Sequence, residues 1–95
     1  MAYAVVWTEN DGTPRAGRLE LGNGSLSLVG VHGRELSYAD IADVRIDRRP
    51  KFRLSERPAL VIESRTGDRF RVASLDGAGS LHELLEQLHS AQNSA

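Results

Sequence analysis

The alternation of apolar and polar positions predicts a run of short β-strands. Tyr3, Val5 and Trp7 fall on one side of the first segment, and Ala4 and Val6 on the other. Similar segments with turn residues between them predict seven strands, at about 3–8, 16–21, 25–28, 34–37, 43–48, 60–62 and 69–73. A single helical turn is expected within residues 38–42, and the longest break between strands spans 49–58.

The pattern changes once, near the C-terminus, where it takes the spacing of a helix. The leucines of residues 80–91 recur at i, i+3, i+4 and i+7, so one stripe is apolar. Ser80 and Glu83 have the spacing of a capping box and predict a start at Ser80, with Asp76 as a rival N-cap. A helix this short needs a surface to cover. We therefore predict a β-barrel or sandwich of about seven antiparallel strands, closed by one C-terminal helix.

Length and composition indicate one domain and disfavour several classes of site. The 95 residues are enough for a single modest core, so residues 1–95 are taken as one domain with a frayed tail at 92–95. The chain has no cysteine, which fits a reducing, cytoplasmic location, and its N-terminus has the pattern of a strand rather than a signal peptide. Three scattered histidines and no Gly-x-Ser-x-Gly motif lead us to expect no metal, no cofactor and no enzymatic activity.

Charge is unevenly distributed, and the middle of the chain is basic. Residues 44–71 carry nine basic and four acidic groups, against three basic and six acidic groups in residues 1–43. The candidate site residues are those around the long break: Arg45, Arg48, Arg49, Lys51, Phe52, Arg53 and Arg57. Arginine forks suit phosphate or carboxylate, so these residues predict an anion-binding or partner-binding surface. The alternative is a solvated loop whose cations pair with Asp47, Glu56 and other nearby carboxylates.

Two further features suggest contact with a protein. Phe52 and Leu54 lie between the cations, where they either anchor a partner or fold back over the barrel. The first strand, around residues 4–7, has few charges to protect it. We expect it to lie at an edge of the sheet, where it can pair with a second copy of the chain.

The order of these elements resembles the pleckstrin-homology-like superfamily, in particular its small bacterial members. The resemblance covers nearly the whole chain and includes local segments at 26–28, 38–41, 66–68 and 81–85. It implies a non-enzymatic binding or scaffolding module. Two features depart from its common pattern: the closing helix has no tryptophan, and the first loop, residues 9–14, is acidic. The acidic loop argues against phosphoinositide binding in the usual pocket.

We therefore expect a protein-interaction module that binds a protein partner and can form a homodimer, through a sheet edge or the basic break. The alternative is a binder of an anionic ligand, such as a lipid headgroup, nucleotide or nucleic acid, through the same arginines. A net charge of −1 weakens the nucleic-acid case.

Overall fold

The structure is a computed structural model, which describes residues 2–30, 32–49, 54, 57–76 and 78–94. The elements follow one another as β1 (Ala2–Glu9), β2 (Arg15–Leu21), β3 (Ser25–Val29), β4 (Arg34–Ser37), a 3₁₀ turn (Tyr38–Asp40), β5 (Ile41–Asp47), β6 (Ala59–Ser64), β7 (Arg69–Ser74) and α1 (Ala78–Ser94). The fold is mostly antiparallel β with one C-terminal helix, as the sequence predicts. The described helix is not long and apolar enough to cross a membrane.

The strands form one curled sheet in the order β4-β3-β2-β1-β7-β6-β5. The prediction that β1 lies at an edge is wrong, because β1 pairs with β2 along one side and with β7 along the other. Val6, for example, lies opposite Ala16 on β2 and Ala73 on β7. In the described part of the sheet, β4 and β5 are the edge strands.

The inner face of the sheet carries the main core. Alternate positions of each strand point inward, since side chains along a strand change face at every residue. Trp7, Leu19, Leu60 and Val72 are fully buried there. Ile46 and Leu36, on the two edge strands, are partly buried and pack against the same core. The core therefore extends across the whole sheet from one edge to the other.

Helix α1 covers this core and packs mainly on β5, with further contacts to β6 and β7. Leu81, Leu84 and Leu88 are buried, as the helical spacing predicts. The predicted start is wrong: the helix begins at Ala78, so Ser80 lies inside the first turn and is not the N-cap. The carboxylate of Glu83 instead accepts a hydrogen bond from the Tyr3 hydroxyl at 3.3 Å, which ties the helix to β1.

A second, smaller cluster lies on the outer face of the sheet. Leu54, in the break between β5 and β6, is 3% exposed and packs with Val6 and Ala73. It is held there by two backbone hydrogen bonds exchanged with Arg57, at 3.0 and 2.8 Å. Leu54 thus folds back over the sheet, which is one of the two outcomes that its position allows. Phe52 lies outside the described residues.

Candidate interaction surface

The outer face of β5 presents acidic and basic side chains in alternation. Asp43, Arg45 and Asp47 are two residues apart, so they share one face, while Val44 and Ile46 point toward the core. Arg49 extends the alternation beyond the strand, because its guanidinium returns to Asp47. We call Asp43, Arg45, Asp47 and Arg49 the β5 charge row.

Arg45 lies at the middle of an ion-pair network. Its Nη1 lies 2.7 Å from an Asp43 carboxylate oxygen and 2.9 Å from a carboxylate oxygen of Glu63, which faces Asp43 on β6. Hydrogen bonds to these two carboxylates raise the pKa of Arg45 above its ordinary value. The cation separates two carboxylates that would otherwise repel each other across the strand pair.

Asp47 and Arg49 form the tightest pair of the row. The Arg49 side chain donates from Nη2 at 2.6 Å and from Nε at 3.0 Å, and its backbone N–H donates to Asp47 Oδ1 at 3.0 Å. These hydrogen bonds from Arg49 lower the pKa of the Asp47 carboxyl to about 2. The carboxylate is nearly buried, with 7% of its side chain exposed, whereas 60% of the Arg49 side chain is exposed. The pair therefore holds a fixed negative charge beneath an accessible cation.

The other predicted site residues do not join this row. Arg48 lies on the helix side of β5, where its Nη2 is 3.0 Å from His82 Nε2 on α1. Arg57 donates to the backbone carbonyl of Ser74 at 2.8 Å, at the end of β7. Lys51, Phe52 and Arg53 lie outside the described residues. The described arginines of the predicted site are thus distributed over three places, and each has an intramolecular partner.

Asp47 is among the carboxylates that the sequence offers as partners of these cations, whereas Asp43 and Glu63 join them without such a prediction. Asp43 falls at the start of the predicted fifth strand, and closeness along the chain brings together only the cations. The signal was present in the spacing Asp43-x-Arg45-x-Asp47-x-Arg49, which places opposite charges on one face of a strand. Glu63 has no such local signal, because it joins the network only through strand pairing.

The β5 charge row lies beside a free strand edge. β5 pairs with β6 from Asp43 to Asp47, and no other described strand pairs with its opposite side. In an antiparallel pair, alternate residues turn their backbone N–H and C=O groups away from the partner strand. Within the part of the chain that the structure describes, no strand occupies these groups of β5, so a further strand can pair with them. The β4 edge is shorter, at four residues.

An open depression lies elsewhere, at the end of the sheet where β1 meets β2. It has a volume of about 350 Å³ and is lined by Glu9, Arg15, His32, Gly33 and Arg34. Its charged groups bind one another: Arg34 holds the Glu9 carboxylate through two hydrogen bonds of 2.7 Å. The Arg15 guanidinium lies over the Trp7 ring, 5.2 Å from the ring centroid. The cations of this depression are therefore already engaged.

Comparison with known proteins adds information on the fold alone. No protein-family model and no curated protein matches the sequence. Among 29 matching chains of solved structures is the crystal structure of the C-terminal domain of an unknown protein from Leishmania infantum. It aligns with a TM-score of 0.69 and 15% identity, over 94% of this chain and 82% of that chain. At this identity, the likeness extends to the arrangement of strands and helix and no further.

Proposed function

We propose that this chain is a non-enzymatic interaction module of the pleckstrin-homology-like type that binds a protein through the free edge of β5. One observation carries the proposal: among the described strands, β5 is paired on one side only, along five consecutive residues from Asp43 to Asp47. Main-chain hydrogen bonds along such an edge supply affinity to an added strand, and side chains on alternate positions supply specificity. The strand order and the closing helix support the family assignment, and the lack of cysteine supports a cytoplasmic location.

The distribution of the arginines supports protein binding over anion binding. A phosphate site needs several donors directed at one point. Arg45 and Arg49 are directed at carboxylates instead, Arg57 at a backbone carbonyl and Arg48 at a histidine. The rival function, binding of an anionic ligand by these arginines, would require those contacts to be given up.

A pair of backbone variants tests the proposed edge. One chain carries an N-methyl group on the amide of Arg45 and the other on the amide of Ile46, so that one methyl group faces β6 and the other faces outward. The variant whose methyl group faces β6 is less stable than the wild type, because it loses a backbone hydrogen bond to that strand. The variant whose methyl group faces outward keeps the wild-type melting temperature. It no longer binds the proteins that the wild-type chain captures from a lysate of the source cells. Capture that survives in this variant overturns the proposal.

The rival is tested with defined polyanions. Binding of a fluorescent single-stranded oligonucleotide, or of vesicles containing phosphatidylserine, is measured across a salt series for the wild type and for Arg48→Ala/Arg49→Ala. We expect no binding at physiological salt. Binding that falls steeply with salt and is lost in the double variant would establish the rival function.

A further inference from the structure

We propose that the partner of the β5 edge is a second copy of this chain, docked antiparallel about a two-fold axis at Ile46. The inference rests on the proposed function of that edge and names its occupant. It follows from the order of charges in the β5 charge row, which complements itself when the strand is reversed.

Symmetry restricts the possible registers. A two-fold axis between antiparallel strands stands perpendicular to the sheet, so it keeps each side chain on its own face. Each residue must then lie opposite a residue of the second copy whose side chain is on the same face of the sheet. At the axis, one residue lies opposite its own copy. Within the regular part of β5, the central choices are Val44, Arg45 and Ile46.

Charge decides between these registers. An axis at Arg45 brings Arg45 against its copy and Asp43 against Asp47 of the second chain, so like charges meet at three of the four positions, and Arg49 faces Ile41. An axis at Val44 pairs Asp43 with Arg45 but places Asp47 beside the irregular start of β5, where the pairing with β6 shifts between Ile41 and Asp43. Neither register uses the whole row.

An axis at Ile46 uses all four charges. Asp43 then faces Arg49 of the second copy, and Arg45 faces Asp47 of the second copy; each contact occurs twice by symmetry. Directly opposed side chains have Cβ atoms about 4.5–5.5 Å apart, which is within reach of both arginines. On the inner face, Ile46 meets its own copy, which covers the part of this side chain that the isolated chain leaves exposed.

Docking changes one ion pair within the chain: Asp47 is 7% exposed beneath Arg49 and is reached by Arg45 of the second copy when Arg49 turns to the opposite Asp43. A guanidinium has five N–H donors, so Arg45 can keep Glu63 while it meets the opposite Asp47. Arg49 and Asp43 have 60% and 53% of their side chains exposed, so both are accessible to the second copy. The network within each chain also holds the row in place before docking.

Charge reversal in separate chains tests this register directly. In Asp43→Arg, the new arginine faces Arg49 of its copy; in Arg49→Asp, the new aspartate faces Asp43 of its copy. Each variant alone should have a dimer dissociation constant at least about tenfold above that of the wild type, since two like-charge contacts replace two attractive ones. Mixed together, the two variants restore opposite charges at both positions. We expect native mass spectrometry and sedimentation velocity to find a heterodimer of wild-type strength.

Controls separate pairing from folding. Glu35→Arg reverses an exposed charge on the β4 edge and should leave the wild-type dimer unchanged. Melting curves test whether each variant folds. If Arg49→Asp does not fold, the series Asp43→Asn and Asp43→Arg replaces the mixture, and we expect a larger loss of dimer for the arginine variant. A mixture that stays monomeric, or a dimer lost in Glu35→Arg, overturns the register. A monomeric wild type that still captures a protein through the β5 edge overturns the self-pairing and leaves the proposed function standing.

Discussion

Replacement of Leu54 by alanine should destabilise the fold although the residue lies outside the main core. Leu54 is 3% exposed and packs with Val6 and Ala73 on the outer face of the sheet. Burial of a leucine side chain contributes about 1.5–3 kcal/mol, and truncation to alanine in a packed site costs about 2–5 kcal/mol. Because Leu54 covers one face of the sheet rather than filling a closed core, we expect the lower part of that range, about 2–3 kcal/mol.

The assay is urea unfolding followed by the fluorescence of Trp7, the only tryptophan, which is fully buried. The same loss lowers the melting temperature by about 10–20 °C in a domain of this size. Leu75→Ala is the matched control, since Leu75 is 45% exposed and its truncation should cost less than about 0.5 kcal/mol. If the two variants lose equal stability, the reasoning that Leu54 is packed against the outer face of the sheet is refuted.

Three further variants test single contacts. Gly17→Ala places a Cβ atom against a backbone carbonyl of β3. We expect the pairing of β2 with β3 to be displaced, which would lower the urea midpoint and alter the amide chemical shifts. Unchanged amide chemical shifts in β3 would contradict this. Tyr38→Phe removes the 2.8 Å hydrogen bond from the hydroxyl to the Gly22 carbonyl and should cost about 0.5–1.5 kcal/mol; a variant as stable as the wild type would show that this bond contributes nothing. Asp47→Asn tests the lowered pKa of about 2, which arises from Arg49. Because the folded-state pKa lies below the ordinary value of about 3.9, the ionised pair stabilises the fold above about pH 4, and this stabilisation is lost as pH falls toward 2. The urea midpoint of the wild type should therefore be higher than that of Asp47→Asn at pH 7 and close to it at pH 2. A difference between the two midpoints that stays constant across pH would contradict the lowered pKa of Asp47.

Much of the fold could be predicted because alternation is a local property. Leu19, Val44 and Phe70 point inward where the pattern places them, and the 3₁₀ turn follows β4 as expected. The order of the strands is not local. The pairing of Val6 with Ala73 joins residues from opposite ends of the chain, and alternation does not encode it.

The mistaken edge assignment of β1 had a signal against it. Ala4 and Val6 make the second face of the strand apolar, and a strand that is apolar on both faces is typical of the middle of a sheet. The predicted start of the helix at Ser80 was wrong for a different reason. Ser80 and Glu83 fit a capping box by spacing, but two residues before Ser80 also adopt the helix, and Glu83 bonds Tyr3 instead.

The candidate site was only partly predictable because neighbours in sequence separate in a strand. Arg48 and Arg49 are adjacent, yet Arg48 contacts the helix and Arg49 contacts Asp47 on the opposite face. A cluster counted along the chain therefore overstates the positive charge at any one place. The network at Arg45 includes Glu63, which only the pairing of β5 with β6 brings near.

Amide hydrogen exchange along β5 tests the central claim most directly. In a dilute sample, NMR should find alternate amides between Asp43 and Asp47 protected by β6 and the others exchanging rapidly. The account predicts that the rapidly exchanging amides gain protection as the protein concentration rises, while the amides of β4 do not change. Protection of every β5 amide in the dilute monomer, or gains confined to β4, would contradict the claim that the free edge of β5 is the binding surface.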